Sequence, residues 1–322
     1  MKKLLLAAGV AMSFFGLTSA SSQPAWPSQP VRIVVPFAAG SLTDTAARAL
    51  ARELSVQLDE QFVVENRGGA GGIIGTDIVA KSKPDGYTLV FTDSSYMISA
   101  ALYKNLSYKP LTDLTPVMLV VEAPAVFVVR KDLPAKTLQD VVALAKKEPG
   151  EITFGTGGQG SSAHLATELF ASQVGVEMRH VPYKGVAAAL VDVMANRVDL
   201  TIPSMGAAIS GIRSGMLRPL AVTGQERVPL LPDVPTFAQA GYPSFDVAFR
   251  FGFLAPAGTP QAVIDRLSEQ LVIASRKPAV MEFLATQGAR PIQIDHAQYA
   301  DIIKKEIGMW KGVIDTAGIS VE

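Results

Sequence analysis

Cysteine is absent from all 322 residues, which excludes disulfide bridges, cysteine-based zinc sites and a lipid-anchored N-terminal cysteine. Histidine is scarce, with three copies, and neither an H-E-x-x-H zinc helix nor a Walker lysine loop occurs. No metal or cofactor is therefore expected. Neither sign of charge dominates: 29 basic residues face 29 acidic ones, without a long run of either. A nucleic-acid partner is not expected from such a balance. No apolar run reaches the roughly 20 residues that a membrane-spanning helix needs. Heptads, short-period repeats and low-complexity linkers are also missing. The hydrolase elbow G-x-S-x-G is only approached: Gly160-Ser161-Ser162-Ala163-His164 and Ile202-Pro203-Ser204-Met205-Gly206 each lack one glycine.

What is present begins with Lys2 and Lys3, an apolar run from Leu4 to Leu17, and the small residues Thr18, Ser19 and Ala20. That order is the pattern of a cleaved secretory signal, so residues 1–20 are expected to be removed and the mature chain to reside in the periplasm. Without Lys2 and Lys3 the balance is 27 basic against 29 acidic residues, a net charge of about −2. About 300 mature residues exceed what one typical core supports, which implies two domains.

Short β-branched runs alternate with longer helical patterns: VRIVV (31–35), DTAARALARELSVQL (44–58), QFVVE (61–65), GIIGTDIVAKS (72–82) and YTLVFT (87–92). A second series runs from AVFVVR (125–130) through EITF and AAALVDVMANR (187–197) to LRPLAVT (217–223). Alternation of this kind predicts an α/β chain of parallel sheets covered by helices. Helical patterns over Pro260–Ser275 and Asp295–Ala317 close the chain. Two crossings, near 123–128 and 246–254, are the natural hinge. They divide the chain into one lobe of 27–123 plus 252–322 and a second lobe of 124–251 inserted between them.

FGTGGQGSSAH (154–164) joins a strand to a helix and matches G-x-G-x-x-G. Such a turn gathers backbone N–H groups and the positive end of a helix at one point, which suits an anion without deciding between phosphate and carboxylate. A dinucleotide site also wants an acid at the end of the next strand, and that strand ends in His180-Val181-Pro182-Tyr183. VRIVVPFAAGSLTDTAAR is a second loop of the same kind, with Thr43 or Asp44 placed as N-cap. If the lobes face each other, the two helix N-termini converge on one cleft suited to a small anion. His180 and His296 read as ordinary surface or capped residues, and GGAGGIIG (68–75) as a tight turn.

At these residues the sequence resembles the Bug family, the periplasmic solute receptors of tripartite tricarboxylate transporters. The matching stretches are PVRIVVPFAAGSLTD, VVENRGGAGGIIG, KPDGYTLV, FGTGGQGSSAHLATELF, VPYKGVAAALVDVMANRVDL, LLPDVPTFAQAGYPSFDV and GFLAPAGTP. The resemblance implies a two-lobed Venus flytrap of the type II periplasmic-binding-protein kind, closing on an organic carboxylate and delivering it to a membrane permease. It implies ligand contacts at Phe37, Ala38, Ser41, Thr43 and Asp44 in the first lobe. In the second lobe it implies Thr156, Gly158, Ser161, Ser162 and His164.

Three departures bear on ligand choice. Ser41 stands where the family's first loop has a second glycine, Pro203 stands where it has an acid, and Arg250 precedes the GFLAPAGTP crossing where it often has an aromatic. On these grounds the ligand is expected to be a dicarboxylate, with an aromatic, terephthalate-like acid within range. Arg250 would hold its distal carboxylate, and Tyr96, Phe249 and Phe251 would offer an apolar wall, although strand alternation turns both phenylalanines from Arg250's face. The protein is expected to be a monomer and not an enzyme. The alternative reading is a secreted hydrolase acting on a carboxylate ester or amide.

Overall fold

A computed structural model of the chain describes residues 26–245 and 247–320; the signal segment read at 1–20 lies outside the described residues. The first run comprises β1 (Val31–Val35), α1 (Leu42–Leu58), β2 (Phe62–Asn66), α2 (Ile73–Ala80), β3 (Thr88–Thr92), α3 (Ser95–Leu102) and β4 (Leu114–Pro124). The second comprises β5 (Val126–Arg130), α4 (Leu138–Lys147), β6 (Thr153–Thr156), α5 (Ser162–Val174), β7 (Arg179–Pro182), α6 (Val186–Met194), β8 (Leu200–Thr201), α7 (Met205–Arg213) and β9 (Leu217–Val222). The chain then returns through β10 (Ala248–Pro256), α8 (Gln261–Ser275), α9 (Pro278–Thr286), β11 (Arg290–Ile294) and α10 (His296–Ala317).

The helices form where apolar residues recur at helical spacing. In α1, Ala46, Ala47, Leu50, Ala51, Leu54 and Leu58 make one buried stripe, and Asp59 ends the helix in the left-handed region. The strands alternate instead: Val126 and Val128 of β5 enter one core while Phe127 and Val129 enter the other.

These elements build two sheets, ordered β11-β4-β10-β3-β1-β2 and β7-β6-β8-β5-β9. β1 runs parallel to β2 and β3, and β6 runs parallel to β7 and β8. β10 lies antiparallel between β3 and β4, and β5 lies antiparallel between β8 and β9. The orders β2-β1-β3-β10-β4 and β7-β6-β8-β5-β9 are thus the same pattern twice. The sheets are mixed, where alternation alone predicts parallel ones. The reason is the crossings: each antiparallel strand begins where the chain has just come over from the other lobe. The return joins the first sheet at Ala248, earlier than the 252 boundary read from the sequence.

Two features tie the lobes together. The second-lobe aromatic layer of Phe127, Phe154, Phe170, Phe237 and Phe245 is continuous with the first sheet's core. Helix α10 packs on α3 and β4 of the first lobe and on α5 of the second. The C-terminal ends of β1 and β6 lead into the starts of α1 and α5, the position where open α/β sheets bind ligands.

Candidate carboxylate site

The two strand-to-helix loops repeat one hydrogen-bond scheme. In the first, Ser41 is the N-cap of α1 and its hydroxyl accepts from the Asp44 N–H at 3.2 Å, while the Asp44 carboxylate accepts from the Gly40 N–H at 2.8 Å. In the second, Ser161 is the N-cap of α5 and accepts from the His164 N–H at 3.3 Å, while His164 Nδ1 accepts from the Gly160 N–H at 3.2 Å. Ser41 N–H donates to Ala38 and Ser161 N–H to Gly158, so the turns themselves match. The N-cap is therefore Ser41, correcting the assignment to Thr43 or Asp44. A serine hydroxyl reaches the third helical N–H from outside the helix, whereas Thr43 and Asp44 already lie within its first turn.

Behind each loop stands a side chain from the next strand. Asn66, at the end of β2, donates to Asp44 Oδ1 at 2.9 Å and to the Phe37 carbonyl at 3.1 Å. Arg48 completes the set, giving Nε to Asp44 at 2.9 Å and Nη2 to Asn66 at 2.9 Å. Burial alone would raise the Asp44 carboxyl, but the bonds from Gly40, Arg48 and Asn66 bring it below the usual range. In the second lobe the partner is His180 of β7, whose Nε2 lies 2.6 Å from Thr156 Oγ1 and whose ring stacks on His164. Burial and the neighbouring His164 push the His180 imidazole down to about 4. His180 is thus no ordinary surface residue; strand β7 turns it inward against the loop.

With Asp44, Thr45, His164 and Leu165 N–H groups committed to the caps, each helix retains free donors in its first turn: Leu42 and Thr43 on α1, Ser162 and Ala163 on α5. Ser162 adds a hydroxyl that is buried yet has no hydrogen-bond partner, and Ser99 on α3 carries another. Such a group left unpaired is unfavourable by about 1–3 kcal/mol, so it points to an outside acceptor. Helix α3 touches the second loop and the glycine-rich turn at 68–75. A β-carbon on Gly71 would stand 3.6 Å from the Ser99 hydroxyl, and one on Gly160 would stand 2.8 Å from Leu102. Gly160 also has φ +75°, a conformation that suits glycine. Helix N-termini with open backbone donors suit an anion, and the unpaired Ser162 hydroxyl adds a side-chain donor to the second.

Comparison with known proteins identifies the family. Residues 46–319 match the model of the tripartite tricarboxylate transporter family receptor. The chain belongs to that receptor family. Among its relatives, Protein BugT of Bordetella pertussis is 39% identical over 324 residues, covering 100% of this chain and 99% of the relative. Among solved structures, the periplasmic binding protein BugD superposes with a TM-score of 0.84 at 35% identity, covering 92% of this chain and 100% of that one. R. palustris Rpa4515 with adipate gives 0.86 at 36% identity, covering 92% and 99%. MatC from Rhodopseudomonas palustris with bound malate gives 0.83 at 31% identity, covering 90% and 100%.

In this receptor the residues expected from the sequence fall on the two loops and the helix starts that follow them: Phe37, Ala38, Ser41, Thr43 and Asp44 on one lobe, Thr156, Gly158, Ser161, Ser162 and His164 on the other. Their parts differ. Ala38 is exposed and Ser162 offers its hydroxyl, whereas Asp44, Thr156 and His164 are buried and hold the loops from behind. Two residues require correction. Tyr96 is 2% exposed, stacks on Tyr108 and donates its hydroxyl to the Pro110 carbonyl, so it belongs to the first-lobe core and offers no wall; Phe249 and Phe251 are core residues too. Arg250 is engaged by protein acids: Nε bonds Glu122 at 3.0 Å and Nη1 bonds Glu306 at 2.6 Å, with Arg290 on the other Glu122 oxygen. It lines a recess with β11 and α10, together with Trp310 and Met309, and its Nε and Nη1 are both held by protein acids. Asn66, Ser99 and His180 were missed by sequence reasoning. The available signal was polarity at positions that the apolar pattern buries.

Proposed function

We propose that this protein is a periplasmic receptor that binds a small aliphatic dicarboxylate without turnover and hands it to the permease of a tripartite tricarboxylate-type transporter. One ligand carboxylate bridges the free N–H groups of α1 and α5, and the lobes close on it about the crossings at 124–126 and 245–248. The observation that carries this reading is the buried, unpartnered Ser162 hydroxyl at the first position of α5, beside two uncommitted backbone donors. An anion there gains charge-assisted hydrogen bonds and the favourable helix end together. The adipate and malate held by the R. palustris relatives support the dicarboxylate class. Tyr96 lies in the core and Arg250 is paired internally, so neither favours an aromatic, terephthalate-like acid over an aliphatic one.

A thermal-shift panel of mono-, di- and tricarboxylates, with product analysis on the corresponding esters, tests the proposal. Stabilisation by C4–C6 dicarboxylates without product is the expected result. Ester hydrolysis, or no stabilisation by any acid, contradicts it.

A further inference from the structure

The two anion loops share a scheme but differ in what closes it: a carboxylate, Asp44, in the first lobe and an imidazole, His164, in the second. A carboxylate accepts from the Gly40 N–H throughout the neutral and mildly acidic range. An imidazole nitrogen accepts only while it carries no proton. Because the Gly160 N–H points at His164 Nδ1, the ring proton is on Nε2, which faces Glu168 Oε1 at 3.6 Å. A second proton would place an N–H against an N–H and remove the Gly160 tie.

The same constraint applies one residue pair deeper. Thr156 Oγ1 accepts from the Gly158 N–H at 3.2 Å and lies 2.6 Å from His180 Nε2, nearer than its 3.2 Å to the Gly158 carbonyl. Where His180 Nε2 carries no proton, this shorter contact takes the Thr156 hydroxyl proton in place of the Gly158 carbonyl. Protonated, His180 would donate to Thr156 instead and turn the hydroxyl proton toward the loop. The two rings stack at 4.0 Å, so a charge on one disfavours a charge on the other.

We propose that the second-lobe loop is a proton-gated clamp: neutral His164 and His180 hold it in the binding shape, and a proton added to either ring releases the loop and with it the ligand. This rests on the carboxylate reading of the site. The charged and titratable groups facing the pair are Glu168 on α5, which stands ready to take an imidazolium's charge, and Tyr103 at the end of α3, beside Gly160. Glu177 and Arg179 at the start of β7 share a recess with Glu168 on α5 and Thr316 on α10. The depressed His180 imidazole, about 4 in the folded protein, is what a ring held neutral by its surroundings should show.

The test compares wild type with the double variant His164→Asn, His180→Gln, whose side chains still offer acceptors but do not titrate. Calorimetry with adipate gives the ratio of Kd at pH 4.0 to Kd at pH 7.5 for each protein, so that adipate's own titration cancels between them. His180, at about 4 in the folded protein, is about half protonated at the lower pH, so a proton that abolishes binding weakens affinity about twofold. The wild-type ratio is expected to exceed the variant's by about twofold or more. Equal ratios overturn the proposal, as does tighter wild-type binding at pH 4.0, which would mean that imidazolium charge attracts the ligand. A ligand-free readout separates failure of the clamp from failure of the carboxylate reading. In wild type without adipate, the Gly158 and Gly160 amide resonances should shift as the pH falls through about 4, together with the His180 ring. Rings that titrate while both amides stay still would overturn the clamp whether or not adipate binds.

Discussion

His164 and His180 lie ring against ring, their centroids 4.0 Å apart and their planes 17° from parallel. With Phe154 stacked on His180 at 5.0 Å, they back the second-lobe loop as Asp44 and Asn66 back the first. The stack has a consequence for stability. His180 titrates near 4 when folded but near its ordinary value of 6.5 when unfolded, so between these limits the unfolded chain binds more protons. Stability is therefore full above pH 6.5 and declines as the pH falls toward 4. Thermal melts across this range should show the loss in wild type and a shallower one in His180→Gln; parallel curves would assign the loss elsewhere.

Asp44 accepts three hydrogen bonds, from Gly40, Arg48 and Asn66, within the first loop. Asp44→Ala leaves those donors unpaired and is expected to reduce stability by about 2–4 kcal/mol, charged hydrogen bonds being worth roughly 1.5–3 kcal/mol each. Because its folded carboxyl is lowered, the Asp44 contribution is present above the ordinary carboxylate range and is lost as the pH falls through its depressed value. Denaturant titration at pH 7 and pH 3 should show a smaller difference between variant and wild type at the lower pH.

Arg250 joins Glu122 of β4 to Glu306 of α10, and burial pushes the Glu306 carboxyl up despite the guanidinium beside it. Arg250→Met strands that acid. Removing one partner from a buried pair is destabilising by about 3–5 kcal/mol, and the partial exposure of this guanidinium lowers the expectation to about 2–4 kcal/mol. Dicarboxylate affinity should stay within about threefold of wild type, since 1.4 kcal/mol already corresponds to a factor of about ten. A selective loss of diacid over monoacid binding would restore Arg250 to the ligand site.

Much of this architecture was legible in the pattern of apolar residues. VRIVV and LRPLAVT became β1 and β9, and Pro260–Ser275 became α8 with Pro260 as its cap. The paired loops were legible as strand, small-residue turn and helix, but the Ser41 cap was not, because Thr43 and Asp44 beside it are cap-forming residue types too. Elements fixed by tertiary contact were not. β8 is two residues long, and α3, SYMISAAL, reads as an undivided apolar stretch. Arg250 misled because the sequence places it at the crossing but cannot show that Glu122 and Glu306 reach it from 128 and 56 residues away. His180 misled for the same reason, since its partners, Thr156 and His164, are brought to it only by the pairing of β6 with β7.

The claim at the centre of this account is that a ligand carboxylate sits on the N-terminus of α5 and takes the Ser162 hydroxyl as a donor. Calorimetric titration of adipate into wild type and Ser162→Ala at pH 7.5 tests it most directly. Ser162 is not the N-cap, so the helix start remains intact in the variant. Loss of a charge-assisted bond of roughly 1.5–3 kcal/mol predicts affinity weaker by about 10- to 100-fold with the melting temperature of the free protein little changed. Equal affinity in the two proteins would contradict the site.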